Sequence, residues 1–201
     1  MHGVAVGGLS PDRAYSMRLR LYYDIDDAEL QLGLVNDAEH EAHEALEVYG
    51  EEAVTLRRLA MVNIVKGQVA AAEQFLRALT RHVIYGAWAR GRLARLASDP
   101  GQARDSEVQH IRSVMLTDAP ARIGWTTEAR CRALLRSNPR NRAAFELLMA
   151  DHLLNRRLDE FVADLPSLDG LGYATLPRHF QEAVLLYEAE TGQSVDLGLH
   201  W

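Results

Sequence analysis

The chain reads as an all-α protein, a stack of antiparallel helix pairs, and three observations predict it. Gly33, Val35, Ala38 and Ala45 fall opposite Gly67, Val69, Ala72 and Leu79 at a spacing of 34 residues. That is the length of a helix-turn-helix repeat, in which glycine permits the turn and small residues let paired helices approach. Apolar residues recur at helical spacing between turn signals along most of the chain. Finally, 48 % of the 201 residues are apolar and 25 % charged, with only 6 prolines, the composition of a folded chain with a sizeable core rather than of disorder.

The elements follow in order. Residues 1–9, with Gly3, Gly7 and Gly8, read as a flexible tail, and Ser10-Pro11-Asp12 caps a helix over about 11–24 carrying Met17, Leu21 and Tyr22. A second helix runs to Leu32. Gly33 to Asn36 make a tight joint, and Asp37 opens an acidic helix ending near Tyr49-Gly50. Leu56, Leu59, Ala60, Val62 and Val65 predict a helix over 52–66, Gly67 turns the chain, and Ala72, Phe75, Leu76 and Leu79 place its partner at 69–82. Neither pair can bury its apolar stripe alone, so neighbouring pairs must complete the core.

Trp88, Leu93 and Leu96 mark a further helix that stops at Ser98-Asp99-Pro100-Gly101, the strongest candidate boundary in the chain. A short helix at 105–116 gives way to Thr117-Asp118-Ala119-Pro120. Thr126-Thr127-Glu128 then opens a helix that ends at Ser137-Asn138-Pro139. Asn141 caps a helix with Phe145, Leu148, Met149, His152 and Leu153. Its partner starts with Leu158, Phe161 and Val162, and Pro166 cuts it short. Counted from Arg142, this pair is an altered copy of the second repeat over 142–168. After a Gly170-Gly172 loop, Pro177 leads a last helix with Phe180, Ala183, Val184 and Tyr187 that stops at Thr191-Gly192. The expected organisation is one helical-repeat domain over 10–192: regular repeats at 19–86, irregular helices at 87–137, the altered repeat, and a terminal helix at 176–191. Residues 193–201 form a tail.

Charge is segregated: residues 1–52 hold twelve acids and three bases, 53–157 eight acids and eighteen bases, and 158–201 eight acids and one base. A basic middle can pair with phosphate. Flanking acidic blocks repel a polyanion, however, and only Tyr85 and Trp88 stand near the arginines as stacking platforms, so nucleic acid is not the expected partner. No apolar run approaches the ~18 residues of a membrane span and no signal peptide opens the chain, so this chain is not expected to insert into a membrane. The compartment stays unassigned. The lone Cys131 sits between Arg130 and Arg132, which can lower a thiol pKa, but no acid-base partner lies at a recognisable spacing, and a small packed residue is the simpler reading.

Residues 19–86 resemble two tetratricopeptide units, with Tyr22, Ile25, Gly33, Ala38 and Ala45 in the first and Leu56, Ala60, Gly67, Ala72 and Leu79 in the second. Asp26 stands where a small residue is usual, and Gly50 and Ile84 where a helix-ending proline is usual. The resemblance implies a right-handed superhelical stack of degenerate repeats, with a concave groove lined by the first helix of each pair. Counted from 19 and 53, the groove positions are Tyr23, Asp24, Asp27 and Leu30, then Arg57, Arg58, Met61 and Ile64. Arg57 and Arg58 can clamp a carboxylate or acidic peptide, with Met61 and Tyr23 supplying apolar contact. Alternatively these charges pair across the groove.

Nearly the whole chain also resembles the C-terminal soluble part of an uncharacterised family of Bacteroidota multi-span membrane proteins, a domain of unknown function. The carrying stretches are LGLVNDAEHEAHEALE at 32–47, LRRLAMVNIVKG at 56–67, NPRNRAAFELLMADHLLNRRLDEF at 138–161 and LPRHFQEAVLLY at 176–187. This implies a module tethered to a membrane region, and the chain as a fragment or a free-standing relative.

Other chemistry is sparse. Asp37, His40 and His43 advance three residues at a time on one helical face and are metal candidates, but the histidines fall one residue short of HExxH, and a solvated acidic face is the simpler reading. Asp24, Asp26, Asp27 and Glu29 lack the glycine and terminal Glu of a calcium loop. His152 lies on or beside an apolar stripe as a hydrogen-bonded semi-core histidine, while His82, His110 and His179 have no companions at useful spacing. There is no Gly-rich phosphate loop, nucleophile elbow or Cys/His cluster. The expected function is therefore protein or peptide binding by the soluble part of a bacterial envelope protein, without a cofactor and without catalysis by this chain. The alternatives are a regulatory or substrate-handling domain of a membrane-embedded transferase, and a metal-dependent enzyme.

Overall fold

In a computed structural model, residues 28–116 and 125–196 are described, and all regular structure among them is helical. The expected tail at 1–9 and the helix at 11–24 lie outside the described residues. The chain divides into two compact units, Met1–Met115 and Leu116–Trp201, whereas the sequence reading runs one domain from 10 to 192.

In the first unit, residues 28–32 are helical and are followed by α1 (Val35–Tyr49), α2 (Ala53–Lys66), α3 (Val69–Leu79), α4 (Gly86–Ser98) and α5 (Ser106–Val114). α2 is the hub. It packs against α1, α3 and α5, and from Thr55 to Val65 only Arg57 escapes full burial. A helix covered on three sides needs apolar residues almost all round, and each Leu or Ile so buried contributes about 1.5–3 kcal/mol.

The 34-residue register appears in the backbone as a repeated turn. Gly33 and Gly67 both take positive φ, 95° and 74°. In each turn the next amide reaches back five residues: Leu34 N–H to Glu29 O at 2.9 Å, Gln68 N–H to Asn63 O at 2.8 Å. This six-residue loop satisfies helix C-terminal carbonyls, and its left-handed position favours glycine. Fully buried Ala38 and Ala72 stand at the fourth position of the helices that follow.

Ser98 to Gly101 do not separate domains. The chain turns there inside the first unit, and α5 packs back onto α2. Asp105 caps α5 by accepting the Val108 amide at 3.2 Å. Arg112 then donates to the carbonyls of Val65, Ile64 and Gly101 at 2.8, 2.9 and 2.7 Å, adding side-chain donors to the carbonyls of the last turn of α2.

The second unit holds α6 (Thr127–Ser137), α7 (Arg142–Leu154), α8 (Leu158–Asp164), a 3-10 segment Leu165–Leu171 and α9 (Arg178–Thr191). Thr126 and Asn141 cap α6 and α7 by accepting from Ala129 and Ala144. The α7–α8 turn repeats the earlier one, with Arg156 at φ 56° and the Arg157 amide bonded to His152 O at 2.8 Å. At the position of Ala38 and Ala72 this unit has fully buried Phe161, which meets Phe180 of α9 edge-on at 5.3 Å. Pro166 falls where α8 gives way to the 3-10 turn, because it donates no amide to an α-helical ladder.

Candidate functional site

The groove positions counted from the repeat are largely covered. Tyr23, Asp24 and Asp27 lie outside the described residues, and Leu30, Arg58, Met61 and Ile64 are at most 4 % exposed. Met61 and Ile64 share one apolar cluster with Val108 and Ile111 of α5. The physical reason is α5 itself. It lies on α2 where an open repeat would leave a concave face, so these residues are core rather than ligand-facing. Of the counted positions on α2, only Arg57 keeps partial exposure.

Arg57 belongs to a surface made with α4. Its guanidinium carbon lies 5.9 Å from the Tyr85 ring centre and 6.0 Å from that of Trp88, and Arg92 lies 5.8 Å from Trp88. His82 stacks on Tyr85 at 5.4 Å. Cation–π contact suits guanidinium over indole. Arg92 is itself held rigidly: it pairs with Asp105 and Glu107, and Arg95 adds a 2.6 Å contact to the same Asp105 carboxylate. Burial works to raise the Asp105 carboxyl, but hydrogen bonds from Arg95 and the Val108 amide, with the charges of Arg92 and Arg95, hold it below its ordinary value. Just before Tyr85 in the chain, Val83 and Ile84 are 97 % and 74 % exposed. The sequence signal for this surface was the 85, 88, 92 spacing, which puts Tyr85, Trp88 and Arg92 on one helical face. The sequence reading weighs Tyr85 and Trp88 only as platforms for nucleic-acid bases, not as partners of Arg57 and Arg92.

The metal candidates do not converge. Asp37 is buried, His40 pairs with Glu44 at 3.1 Å and His43 is exposed. Among the described residues no group of three or more His, Cys, Asp or Glu side chains is placed to hold an ion.

In the second unit a charged network joins α6, α7 and α8. Asp164 receives Arg132 through both oxygens at 3.2 and 3.0 Å, and His152 Nε2 stands 2.9 Å from its Oδ2. Glu128 accepts from Arg132 at 2.7 Å and also from Arg157, which reaches Asp151 as well. Hydrogen bonds from the two arginines lower the Glu128 carboxyl to about 2. His152, expected as a semi-core histidine, is fully buried. Cys131 is buried, and desolvation, with the Asp151 charge, pushes its thiol up to about 11 against the pull of Arg130 and Arg132. It is a packed residue whose burial disfavours the thiolate. A notch of about 250 Å³ opens between α6, α7 and the 3-10 turn, floored by Phe145 and Leu148.

The family of unknown function DUF6057 matches residues 25–201, and the chain belongs to it. No curated protein and no solved structure matches the chain.

Proposed function

We propose that this member of DUF6057 is a protein-binding module built on degenerate tetratricopeptide-like hairpins, serving a bacterial membrane protein as its part outside the bilayer. The three turns at Gly33, Gly67 and Arg156, with matching backbone bonds, support the repeat reading. The likeness to Bacteroidota multi-span proteins supports the membrane context. No helix among the described residues is long and apolar enough to cross a membrane.

The observation that carries binding is the cluster of partly exposed Arg57, Tyr85 and Trp88, backed by the buried Arg92, beside the exposed Val83 and Ile84. Trp, Tyr and Arg dominate interface energetics, and a protruding apolar pair that water solvates poorly gains most from a partner. Among residues 53–98, Lys66, Arg77, Arg92 and Arg95 are ion-paired and Arg58 is buried, and Arg81 and Arg90 are exposed, so the partner is an acidic protein segment with apolar anchor residues.

The test uses the full chain as bait against extracts of its native source, beside Val83→Ser/Ile84→Ser and Trp88→Ala. Because Val83 and Ile84 are exposed, their replacement leaves stability within about 0.5 kcal/mol. A partner retained by the parent and reduced at least tenfold by both variants supports the reading. If every captured protein persists on both variants, the surface assignment fails.

A further inference from the structure

We infer that the first unit pairs end to end with a second copy of itself, the α1–α2 turn of each copy seated on the α3–α4 turn of the other, an inference resting on the protein-binding reading of the α3–α4 surface. Successive antiparallel helices put these two turns at one end of the unit. Arg57, near the start of α2, accordingly reaches the rings of Tyr85 and Trp88 at the start of α4. Each turn projects an apolar pair into water. Val48 and Tyr49 are 71 % and 43 % exposed at the end of α1, as Val83 and Ile84 are between α3 and α4. The charges around the two pairs are opposite. Glu47, Glu51 and Glu52 flank the first pair and are exposed, and among the described residues none of the three is ion-paired. Arg77, Arg81 and Arg90 flank the second pair and are exposed as well.

The α3–α4 surface calls for an acidic segment with apolar anchors, and Glu47-Val48-Tyr49-Gly50-Glu51-Glu52 is such a segment on the same chain. Within one unit the two turns stand side by side and open in the same direction, so neither covers the other. A copy turned over about a two-fold axis brings acidic turn to basic turn twice, as in an isologous interface where residue i meets j and j meets i. The apolar pairs then leave water together, and the opposite charges fix their register. The basic turn is already set for this. The Ile84 and Tyr85 amides lie 3.3 Å from His82 Nδ1, His82 stacks on Tyr85, and Arg90 holds the Thr80 carbonyl at 2.6 Å. Docking therefore orders little backbone.

Sedimentation of the pure full chain over a concentration series at low salt is expected to show a monomer–dimer equilibrium that weakens as salt rises. Val83→Ser/Ile84→Ser raises the dissociation constant at least tenfold. Glu47→Arg/Glu51→Arg and Arg77→Glu/Arg81→Glu each do the same, because like charges then face each other across the axis. An equimolar mixture of these two reversed chains associates again at close to the parent affinity, since each reversed turn meets its opposite. Only a partner of this same sequence produces that rescue. The replaced residues are all exposed, and an unchanged thermal midpoint checks that each variant is folded. A chain that stays monomeric up to about 1 mM, a dimer indifferent to Val83→Ser/Ile84→Ser, or a mixture that fails to associate each overturns the proposal. Sedimentation decides self-association and capture from extracts decides the surface. A monomer whose extract partner is lost with Val83→Ser/Ile84→Ser therefore overturns the pairing of copies and leaves the surface to another protein.

Discussion

Alanine at Gly33 and at Gly67 tests the account of the turns and of α5 together. The two glycines occupy the same place in the 34-residue register, and both have positive φ. They differ in what a Cβ would meet. At Gly67 nothing lies within 4 Å, whereas at Gly33 the carbonyl oxygen of Val114 lies at 2.5 Å, its carbon at 2.7 Å and Met115 Cα at 2.9 Å. Gly67→Ala therefore costs only the left-handed conformation, about 1–2 kcal/mol. Gly33→Ala carries that cost and must also push the end of α5 back by several tenths of an ångström. The contact is with backbone, so no side-chain rotation relieves it. Ile111 is fully buried and Arg112 is bonded to two α2 carbonyls, so α5 cannot yield cheaply, and overpacking of this kind adds about 1–3 kcal/mol. The expected losses are thus about 1–2 kcal/mol for Gly67→Ala and about 2–5 kcal/mol for Gly33→Ala. Urea unfolding followed by circular dichroism gives the energies, and hydrogen exchange in α5 locates the damage. Equal losses, with α5 protection unchanged in Gly33→Ala, would refute the reasoning.

Two further outcomes follow from the second unit. Arg156 holds φ 56° at the place of Gly33 and Gly67, and it is exposed, so Arg156→Gly should stabilise the chain by about 0.5–1 kcal/mol, visible as a higher urea midpoint at unchanged slope. Glu128 has its carboxyl lowered from 4.5 to about 2 by hydrogen bonds from Arg132 and Arg157. Its stabilisation is complete above pH 4.5 and is lost as pH falls through 2, so Glu128→Gln should cost on the order of 1–3 kcal/mol at pH 7 after allowance for solvent screening and flatten the acid limb of stability against pH. An unchanged acid limb would contradict this.

What the sequence revealed was mostly local. Thr126, Asn141, Pro166 and the two turn glycines act on backbone within five residues of themselves, so their effects can be read from neighbours alone. Helix ends shifted slightly. α1 begins at Val35 rather than Asp37, and α3 stops at Leu79 rather than 82, where Ile84 and Tyr85 amides lie 3.3 Å from the His82 ring nitrogen Nδ1. The all-α class followed from periodicity and holds among the described residues. The groove did not follow, because counting positions within a repeat assumes that the concave face stays open. Whether α5 folds back across α2 depends on contacts between residues nearly 50 apart, such as Arg112 with Ile64, which no local pattern encodes. Arg156 was missed for the opposite reason: its left-handed turn carries no glycine to announce it. The notch depends on Leu135, Phe145 and Ser167 meeting from three elements, and their spacing in the chain carries no motif.

The docking of α5 also sets a schedule for synthesis. α2 is made early, yet the helix that covers it is among the last parts of the first unit to emerge. About 50 residues separate the two, and at roughly 5–20 residues per second this leaves Met61 and Ile64 without their cover for ~3–10 s on each nascent chain. During that interval the most extensively buried helix of the unit is a ready target for chaperones, and a ribosome stalled before Arg112 would display a sticky half-built core.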